Sequence, residues 1–490
     1  MARSLPDYTN EWTTALTMLF TDARFAIFFV LCFAVYWLLS RNAHRHHFLL
    51  VMSYVFYAAW DYRFLALIIY ASAVAFIAAK LISASDDVGR RRKILFVAVG
   101  LELASLFFFK YFGFVFENIS AFSGVLFQTP DWSIPDILLP VGISFFTFQA
   151  ISYIVDVARG DTRPSSNLLD VALYIAFFPQ LVAGPIVRST DFMPQLAEQK
   201  VLNWDGFIQG AAVFLLGFCY KAAIADNLAL VVDPVYGAPE DWSRLSLWVA
   251  TLAFHSQIYF DFAGYSWMAI GVALMLGFKL PANFNYPYIA RNIRDFWQRW
   301  HISLSTWLRD YLYIPLGGSR HGGGRFVFAA MVTMILGGIW HGASWNFVLW
   351  GLLHGVAILA YRYRALIPGF GARRRGSPLI GLIFGVAITQ VWVLLLWIPF
   401  RADTFADTTY IVSAMFGGST ANGEKGYPVW MLLMVVLPVL VDAAAGLKVD
   451  KLRAMRPGTP FVYGLVAGAA FALMLVLLPL DSSPFIYFRF

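Results

Sequence analysis

Apolar runs long enough to cross a lipid bilayer recur from residue 25 to residue 479, and they constrain the fold more than any other feature. A hydrocarbon core about 30 Å thick needs about 20 mostly apolar residues for each helical crossing. Hydrophobic residues make up 60% of the chain and charged residues only 13%, which leaves little material for soluble domains. Short alternating segments typical of membrane β-barrels are not visible. The sequence therefore predicts an all-α polytopic membrane protein.

The spacing of these runs predicts about ten to twelve transmembrane helices, with re-entrant or interfacial helices among them. Crossings are expected near residues 25–39, 48–60, 64–82, 94–109, 137–155, 206–225, 244–278, 378–399, 428–444 and 460–479. The segments 168–187 and 281–361 are expected to be re-entrant or interfacial. With the N-terminus outside, about three quarters of the 36 Lys and Arg lie on the cytoplasmic side, as the positive-inside rule requires. Both termini are then expected outside.

A single membrane domain is predicted for residues 1–490, because no soluble segment or repeat interrupts the apolar pattern. We divide it into N-terminal helices at 1–136, a core at 137–361, and C-terminal helices with a tail at 362–490. No metal site is predicted. Cys32 and Cys219 lie in apolar segments, and the HRHH cluster that starts at residue 44 has no carboxylate or cysteine near it in sequence.

The most polar segment lies in the middle of the chain and reads NFNYPYIARNIRDFWQRWHISLSTWLRDYLYIPLGGSRHGGGR from Asn283. After Pro287 the pattern predicts one helix that ends before Pro315, with an aromatic and leucine stripe along one face. The polar residues on its other faces are Arg294, Asp295, Gln298, Arg299, His301, Ser305 and Arg309. Such a helix either lies at the membrane surface or lines a polar cavity inside the protein. Its arginines would attract a phosphate-rich cytosolic ligand.

His341 lies between two apolar runs, in the stretch GGIWHGASWNFVLWGLLHG that starts at Gly337. The runs 326–340 and 344–361 both meet basic clusters assigned to the cytoplasmic side, so they predict a hairpin that enters and leaves from inside. About 15 helical residues rise about 22 Å, which lifts His341 past the bilayer centre. An ionisable residue at that depth is a functional hypothesis by default, and we expect it at the floor of a cavity open to the outside. Burial favours the neutral imidazole that can act as a general base.

These segments resemble the membrane-bound O-acyltransferase family, specifically its bacterial alginate O-acetyltransferase branch. The resemblance covers most of the chain and is dense also in VGISFFTFQAISYIVDV, FFPQLVAGPIVR, GFCYKAAIADNLA and IYFDFAGYSWMAIG. It implies that His341 is the catalytic residue, that His301 is its companion, and that a cytoplasmic donor entrance meets an outward funnel at His341. The branch usually has Asp where this chain has Trp267. Any role of that acid is therefore absent or has moved, with Asp261 as the candidate.

The resemblance implies an acetyltransferase of the bacterial inner membrane, and the distribution of Lys and Arg then predicts both termini in the periplasm. The donor substrate would be cytoplasmic acetyl-CoA, with no bound cofactor, and the product would serve O-acetylation of an alginate-like exopolysaccharide. His341 would act as general base, and His301 would orient the reactants or stabilise the oxyanion. Candidates for the tunnel and the donor site are Arg294, Arg299, Arg309, Trp300, Trp340, Asp295, Asp261 and Asn346. Expected partners are a periplasmic SGNH hydrolase-like acetyltransferase, the polysaccharide and membrane lipids, and no nucleic acid.

The chain closes with SSPFIYFRF, which resembles tyrosine-bearing tails proposed as acyl relays in related bacterial systems. On this hypothesis Tyr487 accepts the acyl group as a phenolic ester and passes it to the periplasmic transferase. The alternative is an aromatic belt at the membrane interface.

Two other functions stay open. The first keeps the family but changes the donor to a D-alanyl or other acyl thioester on a carrier protein. A small, strongly acidic carrier protein encoded nearby would favour this function. The second is a transporter with Asp156, Asp261, His301 and His341 as proton-relay groups. Transporters often carry paired broken helices in corresponding halves, whereas the broken polar segment here is single, so this function ranks last.

Overall fold

The structure is a computed structural model. It describes residues 18–126, 137–182, 184–320, 322–364, 378–417, 423, 425–454 and 486. Tyr487 and the crossing predicted at 460–479 lie outside these described residues. Within them the regular structure is helical, apart from one isolated bridge between Trp242 and Lys425.

The helices follow one another along the whole described chain. The α-helices are Ala23–Leu38, Asn42–Asp61, Leu65–Ser83, Val88–Leu106, Phe112–Leu126, Ile143–Arg159, Leu168–Ala176, Phe178–Leu181, Ser189–Ala197, Trp204–Phe218, Asp226–Gly237, Arg244–Met275, Ile293–Arg299, Ile302–Leu308, Gly323–His341, Trp345–Tyr363, Pro378–Arg401, Phe405–Met415 and Met431–Ala454. Short 3-10 helices are Tyr62–Phe64, Pro239–Asp241 and Pro287–Ile289, and π-helical turns are Phe107–Tyr111, Cys219–Ala225 and Arg309–Tyr313.

Six helical runs among the described residues are long and apolar enough to cross a membrane. They are Asn42–Ser83, Val88–Ser123, Trp204–Gly237, Arg244–Met275, Gly323–His341 and Leu379–Arg401. Two shorter apolar helices, Ala23–Leu38 and Met431–Gly446, accompany them. The all-α, multi-pass membrane class is confirmed. The crossings predicted at 48–60 and 64–82 form one helical run, because the Tyr62–Phe64 turn joins them without a loop.

The described residues divide into two compact units. The first contains the described residues between Met1 and Phe214, together with Trp267–Pro281. In it Leu65–Ser83 packs against Val88–Leu106 and Ile143–Arg159. A cluster of phenylalanine rings adds to its core, with members Phe25, Phe28, Phe56 and Phe178.

The second unit comprises Leu215–Ser266 and Ala282–Phe490, and it holds both histidines singled out from the sequence. Its central element is the hairpin of Gly323–His341 and Trp345–Tyr363. Glycines let the two helices touch, since a Cβ atom at Gly338 would overlap the carbonyl oxygen of Phe347. The predicted hairpin with His341 at its apex is confirmed. The single-domain prediction and its subdivisions at 136/137 and 361/362 stay predictions.

The prediction of one continuous helix from Pro287 to Pro315 is wrong. Ile293–Arg299 ends at Trp300, and a new helix begins at Ile302. His301 between them adopts a left-handed backbone conformation with φ of +42°. Non-glycine residues rarely adopt this conformation without tertiary support, which helical periodicity does not encode.

Candidate active site

His341 is the last residue of Gly323–His341, at the point where the hairpin breaks. Gly342 follows with an extended backbone, and Trp345 opens the second helix. The imidazole is buried, with 4% of the residue exposed. Aromatic rings surround it, with centroid distances of 4.9 Å to Trp340 and 5.1 Å to both Trp350 and Phe400. The hairpin thus places the titratable side chain of His341 among aromatic rings, which together form an aromatic box.

His301 is fully buried and is oriented by Asn283, a residue that sequence reasoning did not select. Its Nδ1 lies 3.1 Å from Asn283 Oδ1. The same oxygen accepts hydrogen bonds from the backbone N–H and the hydroxyl of Ser303, at 3.2 and 2.9 Å. Asn283 Nδ2 donates to Ser266 Oγ over 3.1 Å. Asn283 therefore bridges the Arg244–Met275 helix and the chain around His301.

These contacts define the tautomer of His301. A backbone N–H can only donate, so the atom it meets on Asn283 is the amide oxygen, which can only accept. The proton of a neutral His301 must then lie on Nδ1, and Nε2 carries the lone pair. Burial lowers the pKa of His301 from 6.5 to about 3, so the neutral form dominates at physiological pH. His301 lies outside the six membrane-crossing runs.

Trp340 connects the two histidines. Its ring meets His301 at a centroid distance of 6.0 Å and His341 at 4.9 Å, both edge-on. The ring of His301 also packs edge-on against Phe262, at a centroid distance of 4.6 Å. Trp300 is buried one residue away, against Phe296, Tyr288 and Trp397. The structure therefore brings His301, His341, Trp340 and Trp300 into one aromatic region.

The residues selected as donor anchors lie nearer the surface. Arg294 and Arg309 are exposed. Arg299 Nε pairs with Asp295 Oδ1 at 2.7 Å, as the four-residue spacing predicted, and Arg299 Nη1 donates to the carbonyl of Asn285 at 3.1 Å. Arg309 is held by its neighbour, Asp310, at 2.6 Å.

Asn346 is buried but already occupied by structural contacts. Its Nδ2 donates to the carbonyl of Ala402 at 2.9 Å, and its Oδ1 accepts from the hydroxyl of Thr408 at 3.1 Å. This side chain ties the start of Trp345–Tyr363 to Phe405–Met415. These two contacts support a structural role for Asn346, since they leave little of its amide group for a ligand.

Asp261 belongs to a buried ionic cluster that sequence reasoning recovered only in part. Lys221 Nζ lies 2.5 Å from Asp261 Oδ1 and 2.7 Å from Asp226 Oδ1. Lys221 sits in the π-helical turn Cys219–Ala225, a kind of irregularity frequent at functional sites. The available signal was a lysine and an aspartate inside an apolar run, GFCYKAAIAD, which burial would force to find partners.

Comparison with known proteins shows what this chain is similar to. The model of the family described as MBOAT, membrane-bound O-acyltransferase, matches residues 162–384, which include both histidines. The chain is 35% identical to the "Probable alginate O-acetylase AlgI" of Pseudomonas putida, over 96% of this chain and 100% of that protein. It is 35% identical to the "Peptidoglycan O-acetyltransferase" of Helicobacter pylori over 75% of this chain and 73% of that protein. It is 31% identical to the "Teichoic acid D-alanyltransferase" of Bacillus subtilis over 46% of this chain and 59% of that protein.

Proposed function

This chain belongs to the membrane-bound O-acyltransferase family and is an acyltransferase, and we propose that it moves an acetyl group from cytoplasmic acetyl-CoA to an acceptor outside the membrane. The end use is O-acetylation of an alginate-like cell-surface polysaccharide. The observation that carries this proposal is a buried histidine at the break of a helical hairpin, within a chain that is similar over 96% of its length to a probable alginate O-acetylase.

The donor is the least constrained part of the proposal. Two of the relatives are named as O-acetyl-transferring proteins, and the third is named as a D-alanyltransferase. Both candidate donors are acyl thioesters, which suit acyl transfer because the thiolate is a good leaving group. Acetyl-CoA is favoured because the acetyl-transferring relatives match far more of the chain than the D-alanyltransferase does. A D-alanyl or other acyl group on a carrier protein is the second candidate.

The proposed chemistry centres on His341. The acceptor hydroxyl oxygen attacks the thioester carbonyl carbon while His341 takes the hydroxyl proton. Collapse of the tetrahedral intermediate breaks the carbon–sulfur bond, and His341 returns the proton to the thiolate, which leaves as a free thiol. Proton transfer of this kind contributes about 10²–10⁴ in rate, so positioning of the reactants must supply much of the remainder.

His301 acts as the orienting partner. Its contact with Asn283 favours a lone pair on Nε2, so the neutral ring accepts a hydrogen bond and does not donate one there. This supports an orienting role, such as accepting a hydrogen bond from the attacking hydroxyl, over stabilisation of an oxyanion. Trp300 and Trp340 form the aromatic walls that exclude water from the reaction.

The donor approaches along the basic segment that carries Arg294, Arg299 and Arg309. Arg294 is exposed and provides charge for the phosphates of the donor. Arg299 and Arg309 are each partly neutralised by a carboxylate, so we assign them the smaller share of binding. The membrane is the bacterial inner membrane, with both termini in the periplasm.

The acceptor step uses Tyr487 as an acyl relay to a periplasmic SGNH hydrolase-like transferase. Tyr487→Phe should abolish acylation of the polymer, because a phenylalanine cannot form the phenolic ester, while the folded fraction of the protein stays at the wild-type level. Normal polymer acylation by Tyr487→Phe would rule out the relay and leave direct transfer.

The donor and the direction are tested together in proteoliposomes of the purified protein. Radiolabelled acetyl-CoA or a D-alanyl carrier thioester is supplied only to the predicted cytoplasmic face, and label is followed on the other side. Label from acetyl-CoA reaching protein or acceptor on the far side is the expected result. Label from the carrier alone would shift the proposal to aminoacyl transfer. Proton flux coupled to solute movement without any acyl transfer would support the transporter and overturn the proposal.

A further inference from the structure

A second polar cluster in the same unit takes no part in the chemistry proposed above. Lys221, Asp226 and Asp261 are each at most 2% exposed. One positive charge faces two carboxylates, at 2.7 Å for Asp226 and 2.5 Å for Asp261. Buried charges of this kind persist only where ion pairs and hydrogen bonds satisfy them, so the carboxylates of this cluster attract hydrogen-bond donors besides Lys221.

The donor at Asp261 comes from the C-terminal segment of the same chain. The backbone N–H of Ile486 donates to Asp261 Oδ2 over 2.9 Å, and Ile486 is itself buried. The two oxygens of Asp261 therefore have separate partners, with Oδ1 against Lys221 and Oδ2 against Ile486. A hydrogen bond from an amide to an ionised carboxylate is about twice as strong as one between neutral groups. Asp261 thus provides a specific seat for the backbone at Ile486.

The helix that provides this seat also supports His301. Phe262, the next residue after Asp261, packs edge-on against the His301 imidazole. Ser266 accepts the hydrogen bond of Asn283, whose oxygen faces His301 Nδ1. Asp261, Phe262 and Ser266 lie within two turns of the Arg244–Met275 helix. One rigid element therefore carries both the contact to the C-terminal segment and the contacts that hold the histidine.

We propose that Asp261 is a positioning residue that seats the C-terminal segment for acyl transfer, with Lys221 as its counter-ion. This rests on the proposed function and on its relay residue, Tyr487, which follows Ile486 in the chain. In the relay the phenol oxygen bonds to the acyl carbon, the thioester carbon–sulfur bond breaks, and the phenolic proton ends on the thiol sulfur. Attack by an acceptor hydroxyl then releases the phenol. Fixing the preceding residue reduces the conformational freedom that the phenol loses on reaction.

Hydrogen exchange at the Ile486 amide tests the seat without any substrate. The full-length protein in nanodiscs is compared with Asp261→Leu, Asp261→Asn and Asp226→Leu by mass spectrometry. Asp261→Leu should lower the protection of this amide by at least about tenfold, since it removes a hydrogen bond to a charged group. Asp261→Asn should restore much of the protection because its amide oxygen still accepts. Asp226→Leu is the matched control, since it removes a carboxylate from Lys221 but leaves the acceptor of Ile486 in place.

The link to acyl transfer is tested with Ile486→Pro, which removes the donating N–H and leaves the ionic cluster intact. We expect Ile486→Pro and Asp261→Leu to lose polymer acylation, with the thermal midpoint of Ile486→Pro unchanged and with activity partly rescued in Asp261→Asn. Equal protection in Asp261→Leu and wild type would overturn the seat. If Asp261→Leu lost the hydrogen-exchange protection at Ile486 but kept full polymer acylation, the positioning role of Asp261 would be wrong. Absence of acyl transfer from any thioester by the wild type would instead refute the proposed function, because the exchange experiment stands apart from it.

Discussion

At the scale of single residues, the proposed role of His301 depends on its contact with Asn283. Asn283→Leu removes the oxygen that fixes the His301 tautomer and the contacts of Ser303. We expect the turnover number to fall by about tenfold to hundredfold, part of the 10²–10⁴ that a positioned acid–base group contributes, while KM for the acyl donor changes little. Steady-state assays in proteoliposomes measure both quantities.

Ser266→Ala is the control for this variant. It removes the partner of Asn283 Nδ2 but keeps the oxygen next to His301, so it should retain most of the activity. If Asn283→Leu and Ser266→Ala lost activity equally, general disruption of the packing would explain the effect, and the orienting role of Asn283 would be wrong.

The protonation of His301 gives a second prediction at this scale. Burial lowers its pKa from 6.5 to about 3, so the unfolded chain binds more protons than the folded chain between these values. The contribution of His301 to stability is therefore fully present above pH 6.5 and declines as pH falls toward 3. Nitrogen NMR of labelled histidine should show a neutral Nδ1–H ring at pH 5 in the folded protein. An imidazolium signal for His301 at pH 5 would contradict this environment.

At the scale of elements, the hairpin is the feature that places His341. Gly338→Ala puts a methyl group against the carbonyl oxygen of Phe347, which must move for the helices to pack. Overpacking of this kind costs about 1–3 kcal/mol. We expect a lower thermal midpoint in detergent and a loss of acyl transfer. Gly324→Ala, near the start of the same helix, meets no atom within 4 Å and should behave like wild type. Equal thermal midpoints for Gly338→Ala and Gly324→Ala would contradict the close packing.

Local patterns in the sequence predict some of these elements and miss others for a physical reason. Apolar run length predicted the hairpin, and the spacing of Asp295 and Arg299 predicted their ion pair. Neither depends on distant residues. The left-handed turn at His301 depends on Asn283, which lies 18 positions earlier, and Asp261 finds Lys221 in another helix. Such partners follow from tertiary packing, and periodicity carries no information about them.

At the scale of the whole molecule, the hairpin of Gly323–His341 and Trp345–Tyr363 buries the proposed catalytic histidine, His341, at its break. In the proposed function, a buried site lets the acyl group move to an acceptor outside while the acyl donor stays on the cytoplasmic side. The aromatic box around His341 supports chemistry in the absence of water, which would otherwise hydrolyse the thioester. The proposed acyl transfer therefore assigns the proton transfer to His341 and not to the other buried histidines.

The most direct measurement compares two buried histidines of the same hairpin. His341 and His354 both contact Trp350, at centroid distances of 5.1 and 4.5 Å, but only His341 sits at the helix break. Transfer of labelled acetyl from acetyl-CoA is measured for His341→Phe and His354→Phe, with the folded fraction of each checked by size-exclusion chromatography. We predict that His341→Phe loses at least about 10²-fold in rate and that His354→Phe stays within about tenfold of wild type. Equal rates for His341→Phe and wild type would contradict the assignment of His341 as the catalytic base.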